Sequence, residues 1–283
     1  MTVQAVVDAL RAAGCVFAEE EAALLREAAT TPGSLAGLVA RLRAAGCVFA
    51  EDEAALLLAA GGDLDTLVGR RVAGEPLEQV LGWAEFCGLR IAVEPGVFVP
   101  RRRTEFLVAQ ALGLVGPGAV VLDLCCGSGA VGLAIATTRP VELVAADVDP
   151  VAARCARRNL ASVGGQVHEG DLYEPLPAEL RRRVDVLVVN APYVPTDAIA
   201  LMPPEARDHE PRTALDGGPD GVDVHRRVAA GAAGWLAPGG SLLIETSRGQ
   251  APGTLAAVTR AGLTARVVTD EDLAGTVVVG QVP

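Results

Sequence analysis

The chain has 283 residues, 51% of them hydrophobic, enough to bury the core of one large domain or of one domain with a small accessory. Its 24 Lys+Arg against 35 Asp+Glu give a formal charge of −11, and phosphate affinity comes largely from Lys and Arg, so direct nucleic-acid binding is disfavoured. No apolar run approaches the ~18 residues of a membrane helix, and residues 1–8 carry an early acid and no basic stretch. That speaks against a signal peptide; the expectation is a cytoplasmic protein with no membrane partner.

The N-terminal third contains a repeat. Residues 7–25 recur as residues 39–57, differing only at Asp8/Ala40, Ala9/Arg41 and Glu20/Asp52. Two copies are too few for a solenoid, and each reads as a pair of short helices. Leu38, Leu42 and Ala45 share one helical face, Gly46 is a stop signal, and Glu51-Asp52-Glu53 suits a helix N-terminus. The pattern predicts a helical domain over residues 1–84 containing a duplicated segment. Cys15 and Cys47 are then equivalent positions of the two copies. Cys87, Cys125, Cys126 and Cys155 complete the set, no two cysteines form a C-x-x-C pair, and His168, His209 and His225 lack ligand spacing. No metal site is expected.

Residues 85–103 change character. Stretches 86–93 and 97–99, split by Glu94-Pro95-Gly96, read as a hairpin linking to a third region over residues 104–283. There helix and strand alternate, with strands expected over 120–124, 143–147, 166–169, 184–190, 241–245, 264–268 and 276–281. Alternation of this kind predicts a parallel, doubly wound sheet. Only residues 269–275 separate the last two strands, too few for a helical crossover, so these should pair antiparallel. Arg101-Arg102-Arg103 and Arg181-Arg182-Arg183 are local basic clusters; the second sits in a loop ahead of a strand and reads as solvated surface charge.

The turn after the first of these strands is Cys125-Cys126-Gly127-Ser128-Gly129-Ala130-Val131-Gly132. Its glycines let a ligand approach the backbone at a helix N-terminus. Asp147, closing the next strand, can accept hydrogen bonds from both hydroxyls of a ribose. The same spacing is also the dinucleotide fingerprint, so this region alone leaves open a nicotinamide dinucleotide, an adenosyl cofactor or a bare turn. Farther on, an apolar strand ends in Asn190-Ala191-Pro192-Tyr193, at the strand end where open α/β sheets bind ligands. The Asn190 side-chain carbonyl and the Ala191 main-chain carbonyl are two acceptors, and Tyr193 is a flat ring. Together they suit a planar –NH2 group.

With these residues assembled, the chain resembles the HemK-type protein glutamine methyltransferases over roughly residues 75–283. The match rests on Glu75-Pro76-Leu77-Glu78-Gln79-Val80-Leu81-Gly82, on Val97-Phe98-Val99-Pro100-Arg101 with Thr104-Glu105, and on the glycine turn with Asp123 just ahead of it. It continues in Asp171-Leu172-Tyr173-Glu174-Pro175-Leu176, in Asn-Ala-Pro-Tyr where that family has Asn-Pro-Pro-Tyr, in His209-Glu210-Pro211 and in Gly217-Gly218-Pro219-Asp220-Gly221.

The resemblance implies an α/β class I S-adenosylmethionine-dependent methyltransferase. Its seven-stranded Rossmann-like sheet would be preceded by a small helical substrate-recognition domain and a linking hairpin. S-adenosylmethionine would contact Cys125, Cys126, Gly127, Ser128, Gly129, Asp147, Asp171, Leu172 and Asn190. The methyl acceptor would be the side-chain amide of a glutamine held by Asn190, Ala191, Pro192 and Tyr193, in a protein such as a peptide chain release factor. Three departures stand out. Cys125 occupies a position usually held by Gly, where a required positive φ would be costly. Ala191 replaces a Pro, and Arg102-Arg103 stand where the family commonly has Pro and an acid. Two other readings stay open: a nucleic-acid amino methyltransferase acting on adenine or cytosine, which would need base flipping and a basic track, and a catalytically silent module that keeps the cofactor pocket.

Overall fold

The computed structural model describes residues 3–23 and 33–283, which fall into two compact units, Met1–Leu81 and Gly82–Pro283. In the first unit, helices run over Val3–Ala12, Leu35–Ala44, Ala50–Ala60, Leu64–Val72 and Leu77–Leu81. The duplication is visible in three dimensions. Ala18 and Ala22 are buried, as are Ala50 and Ala54, while Val16-Phe17 and Val48-Phe49 are exposed at equivalent tips. The ion pair Arg11–Glu19 recurs as Arg43–Glu51. Residues 24 and 25, the end of the first copy, lie outside the described residues. Leu38, Leu42, Leu57 and Val68 form the core of this unit. Ala45, expected on their face, is instead exposed at the helix C-cap. Buried Arg71 meets Glu53 through two bonds of 2.6 and 3.1 Å, the fork geometry that suits a desolvated pair.

The second unit opens with a hairpin of β1 (Trp83–Phe86) and β2 (Leu89–Ala92). Phe86 faces Leu89, so the turn is Cys87-Gly88, with φ of 50° and 72°, as a two-residue I′-type turn requires. From its sequence the turn is expected at Glu94-Pro95-Gly96 and a strand at residues 97–99. That expectation is corrected: residues 97–99 are unpaired, and Val93, Val97 and Val99 turn inward beside Ala84 and Cys155. Asn159 fastens the hairpin. Its Oδ1 accepts from the Ala92 amide at 3.0 Å, and its Nδ2 donates to the carbonyls of Ala92 at 2.9 Å and Ser128 at 2.8 Å.

The remaining strands form one sheet. They are β3 (Val120–Leu124), β4 (Glu142–Asp147), β5 (Gln166–Glu169), β6 (Val184–Val189), β7 (Leu236–Glu245), β8 (Thr264–Asp270) and β9 (Gly275–Gln281), in the order β5-β4-β3-β6-β7-β9-β8. The first five are parallel, and β9 runs antiparallel to both β7 and β8. Every expected strand of this sheet is present. β7 begins earlier than expected, at Leu236, because Pro238-Gly239-Gly240 does not end pairing; a register shift between Val184 and Val186 absorbs it. Val121, Ala145, Val186 and Val188 pack on one face, and Leu122, Val144, Leu187 and Val189 on the other. Burial on both faces explains why these strands read as continuous apolar runs. No helix among the described residues is long and apolar enough to cross a membrane. The strand order reverses between β3 and β6, which opens a crevice at their carboxyl ends.

Candidate active site

A cavity of about 340 Å³ occupies that crevice, within the size range of small-molecule sites. The glycine turn after β3 contributes Cys125, Cys126, Gly127 and Ser128 to its wall, and β4 and the loop after β5 contribute Asp147, Asp171 and Leu172. The end of β6 contributes Asn190, Ala191, Pro192 and Tyr193. Gly129 is the exception among the sequence-predicted residues. It lies off the lining, at φ 77°, and a Cβ there would meet Leu160 Cγ at 3.1 Å and Ala156 Cβ at 3.3 Å. Its role is close packing beneath the turn.

Cys125 has φ 55°, the left-handed region that costs an L-residue roughly 1–2 kcal/mol. The turn therefore keeps its shape with a cysteine bearing the strain that a glycine would avoid. Burial, reinforced by Asp147 and Asp123, pushes the thiols of Cys125 and Cys126 well up, so both stay protonated and line the wall as small apolar groups. A Cβ on Gly127 would meet nothing within 4 Å, which leaves its backbone approachable. Asp147 is held rigidly: its Oδ2 accepts from the Gly127 amide at 2.8 Å and its Oδ1 from the Asp149 amide at 2.9 Å. Each carboxylate oxygen keeps a lone pair for a further donor. Exposed Val148, next in sequence, and Leu172, at φ 49°, add apolar surface to the cavity. Asp171 has its carboxylate engaged by Arg227 at 2.6 Å.

Asp123 sits beneath this turn, and its Oδ2 accepts from the Gly132 amide at 2.9 Å. Burial pushes its carboxyl up to about 7; the Gly132 hydrogen bond opposes this and the Asp147 charge adds to it. A carboxyl raised in the folded state stabilises it fully below the ordinary value near 3.8 and loses that contribution as pH rises to about 7. Asp123→Asn keeps an acceptor for Gly132 without the buried charge. The variant should melt above the parent at pH 8, by an amount on the order of 1 kcal/mol in stability, with the difference shrinking toward pH 4. Thermal unfolding at the two pH values checks this, and an equal difference at both would exclude the cause given.

On the opposite wall, Asn190 Nδ2 donates to Thr104 Oγ1 at 3.3 Å, which leaves Oδ1 as its acceptor. The Ala191 carbonyl receives no main-chain hydrogen bond among the described residues. Tyr193 OH donates to Glu245 Oε1 at 3.4 Å, and its carbonyl accepts from Gln250 Nε2. The Arg103 guanidinium lies 5.8 Å from the Tyr193 ring centroid and 3.5 Å from Glu245. Burial, with Glu245 second, pushes the Tyr193 phenol up to about 12, so it remains a neutral donor. The segment 192–196 rests on the glycine loop after residue 215: Val194 N bonds Leu215 O at 2.9 Å, Gly217 N bonds Val194 O at 2.9 Å and Thr196 N bonds Gly218 O at 3.0 Å.

The sequence does not single out as site residues Arg103, Thr104 and Val148, which line the cavity, Glu245, which meets Tyr193 from behind, or Asn159, which supports the turn through the Ser128 carbonyl. Arg103 and Thr104 had a signal, because they lie in a stretch that matches the family with a change of charge. Glu245 had only its place at the end of an apolar strand, the same signal that marked Asp147 and Asn190. Asn159 and Val148 had none.

The comparisons with known proteins agree with this architecture. Residues 88–202 match the model of the methyltransferase small domain. The chain is 42% identical over 199 residues to the release factor glutamine methyltransferase of Geobacter sulfurreducens, covering 69% of each chain. It is 37% identical over 206 residues to the 4-amino-L-phenylalanine/4-methylamino-L-phenylalanine methyltransferase of Streptomyces pristinaespiralis, covering 66% of this chain and 70% of that one. A crystal structure of a methyltransferase from Pyrococcus furiosus superposes with a TM-score of 0.54 at 15% identity, over 77% of this chain and 98% of that one. The sheet is that of the class I S-adenosylmethionine-dependent methyltransferases.

Proposed function

The chain belongs to the release factor glutamine methyltransferase family, and from that premise we propose that it methylates the side-chain amide nitrogen of a glutamine in a peptide chain release factor, holding that amide on Asn190, Ala191, Pro192 and Tyr193. The single observation that carries the acceptor assignment is the pair of unspent acceptors, Asn190 Oδ1 and Ala191 O, on the cavity wall beside a flat ring.

The enzyme uses S-adenosylmethionine, and its residues fit that group on the chemistry of the donor set. Asp147 retains lone pairs for ribose hydroxyls, Val148 and Leu172 offer apolar surface to a base, and the open backbone at Gly127 admits close approach. Cys125, Cys126, Ser128 and Asp171 complete the wall on that side, with Gly129 shaping the turn from beneath. When bound, the sulfonium supplies an electrophilic methyl group.

An amide nitrogen is a poor nucleophile because its lone pair is delocalised into the carbonyl. Two fixed acceptors on the –NH2 hydrogens orient that lone pair, and orientation of this kind supplies up to ~7–11 kcal/mol. As positive charge grows on the nitrogen, the same two bonds strengthen, which is stabilisation specific to the transition state. Tyr193 packs against the amide plane. An N-alkylated, protonated amide is a strong acid, so its proton leaves to water without a dedicated base. The neutral Tyr193 phenol and the protonated cysteines are consistent with a site that positions rather than deprotonates.

Radiolabelled methyl transfer into a cell lysate from a strain lacking this protein tests the proposal. Label in a protease-sensitive band of release-factor size, mapping to glutamine, is the expected result. Nuclease-sensitive label would instead support an adenine or cytosine acceptor. Label confined to the small-molecule fraction would favour an amine acceptor like that named for the Streptomyces relative. No label with intact cofactor binding would leave a silent module.

A further inference from the structure

The helix Pro150–Leu160 starts just after Asp147 and ends beneath the glycine turn, where Ala156 and Leu160 pack under Gly129. Asn159 lies on its last turn and reaches two separate pieces of main chain. Bonded and non-bonded pairs alternate along an antiparallel hairpin. Val93 N bonds Gly82 O at 3.0 Å, so Ala92, paired with Trp83, turns its own amide and carbonyl outward. Asn159 answers both, Oδ1 accepting from the amide at 3.0 Å and Nδ2 donating to the carbonyl at 2.9 Å. An N–H has only a hydrogen to give, so Oδ1 must face Ala92 N and the NH2 end must face carbonyls. Its other hydrogen goes to Ser128 O at 2.8 Å. The Ser128–Gly129 peptide is thereby held at both ends, because its N–H donates to Cys126 O at 2.7 Å. Ser128 lines the cavity, and Gly129, at φ 77°, has no Cβ to bar other conformations.

We propose that Asn159 is a positioning residue for the adenosyl cofactor: it fixes the Ser128–Gly129 peptide of the turn and makes the order of that turn and of the hairpin's outer strand one equilibrium. A ligand that meets a turn already held in place avoids the cost of ordering it. The coupling comes from the planarity of the amide, which moves as one body. Swinging Nδ2 away from Ser128 also swings Oδ1 away from Ala92 N, so the turn cannot be released without loosening the hairpin. By reciprocity, a ligand that steadies the turn steadies Ala92. Cys155 supplies the contrast. It sits one helical turn earlier, and its thiol bonds the same Ala92 carbonyl at 3.2 Å. Among the described residues it makes no hydrogen bond to the glycine turn. This inference rests on the placement of the cofactor against the glycine turn proposed above.

Residue-resolved hydrogen exchange of the full chain, with and without S-adenosylhomocysteine, and calorimetric titration of the same ligand test this. In the parent, the ligand should slow exchange at the Gly129 amide and also at the Ala92 amide. Asn159→Ala should weaken binding about 5–20-fold, the worth of one or two hydrogen bonds. In a transfer assay the loss should appear in the cofactor KM rather than in kcat at saturation. Cys155→Ala should lower the melting temperature yet keep affinity within about twofold, because it leaves Ser128 held. If Asn159→Ala does not fold, exchange in the parent decides. Slowing at Gly129 with none at Ala92 would overturn the role of Asn159 and leave the cofactor placement standing, as would parent-like affinity in Asn159→Ala. Equal affinity losses in the two variants would reveal a general loss of packing and overturn that role as well. A bound ligand that slows neither amide would overturn the placement itself.

Discussion

Asn190→Ala should cut methyl transfer by about 10²–10³-fold, the range measured when a single oriented group that stabilises transition-state charge is removed. The size follows from the chemistry of the acceptor. A carboxamide nitrogen becomes nucleophilic only as its lone pair leaves conjugation, and the charge that then grows on –NH2 is felt most by the atoms already bonded to its hydrogens. In the proposed binding mode Asn190 Oδ1 is one of two such acceptors, so the variant keeps the Ala191 carbonyl and some residual rate. The structural cost is small, because the side chain is half-buried and gives up one 3.3 Å bond to Thr104; a loss of about 1 kcal/mol is expected. Single-turnover rates with saturating substrate, beside a thermal melt, separate the two effects. A fall in rate matched by a collapse in melting temperature would point to misfolding, and an unchanged rate would remove Asn190 from the chemistry.

The side of the cavity lined by the glycine turn was legible because its parts are local. The glycine turn, Asp147 and the Asp171-Leu172 pair each follow an apolar run, and the doubly wound topology brings successive strand ends to one crevice. The acceptor side was legible only in its front row. Asn190 and Tyr193 sit at a strand end, but the groups behind them come from distant sequence, Thr104 at a separation of 86 and Glu245 at 52 from their respective partners. No periodicity or spacing encodes such a contact. Cys125 shows what a single substitution leaves undetermined: its residue type argued against a left-handed turn, yet the paired strands on both sides impose φ 55° on it. Arg103 stood out as a change of charge from the family pattern, and its place against Glu245 and the Tyr193 ring gives that change a physical setting. The hairpin was misplaced for an ordinary reason. Pro95-Gly96 is the stronger local turn signal, but Asn159 reaches across to Ala92 and settles which stretch pairs.

Gly217→Ala should abolish most of the transfer activity and cost about 2–3 kcal/mol of stability, the upper part of the range for overpacking. A Cβ at this position would lie 2.7 Å from Tyr193 Cα, 2.8 Å from the Pro192 carbonyl oxygen and 2.8 Å from the Gly221 carbonyl oxygen. All three are backbone atoms, so no rotamer change relieves the clash; either the loop or the Asn-Ala-Pro-Tyr segment must move. The loop is tied down on its far side, where Asp223 N bonds Gly217 O at 2.9 Å. The displacement therefore falls on Pro192 and Tyr193, and with them on the direction of the Ala191 carbonyl, which a proline at position 191, as in the family pattern, would have stiffened and this chain's alanine does not. Cofactor affinity should change little, because the glycine turn and Asp147 lie across the cavity. Gly116→Ala is the control: a Cβ there meets nothing within 4 Å, and a change within ±0.5 kcal/mol is expected. Chemical denaturation, calorimetric titration of the adenosyl cofactor and a transfer assay on both variants decide the matter. If Gly217→Ala turns over normally, the glycine loop does not support the acceptor wall, and the close approach of the two segments serves folding alone.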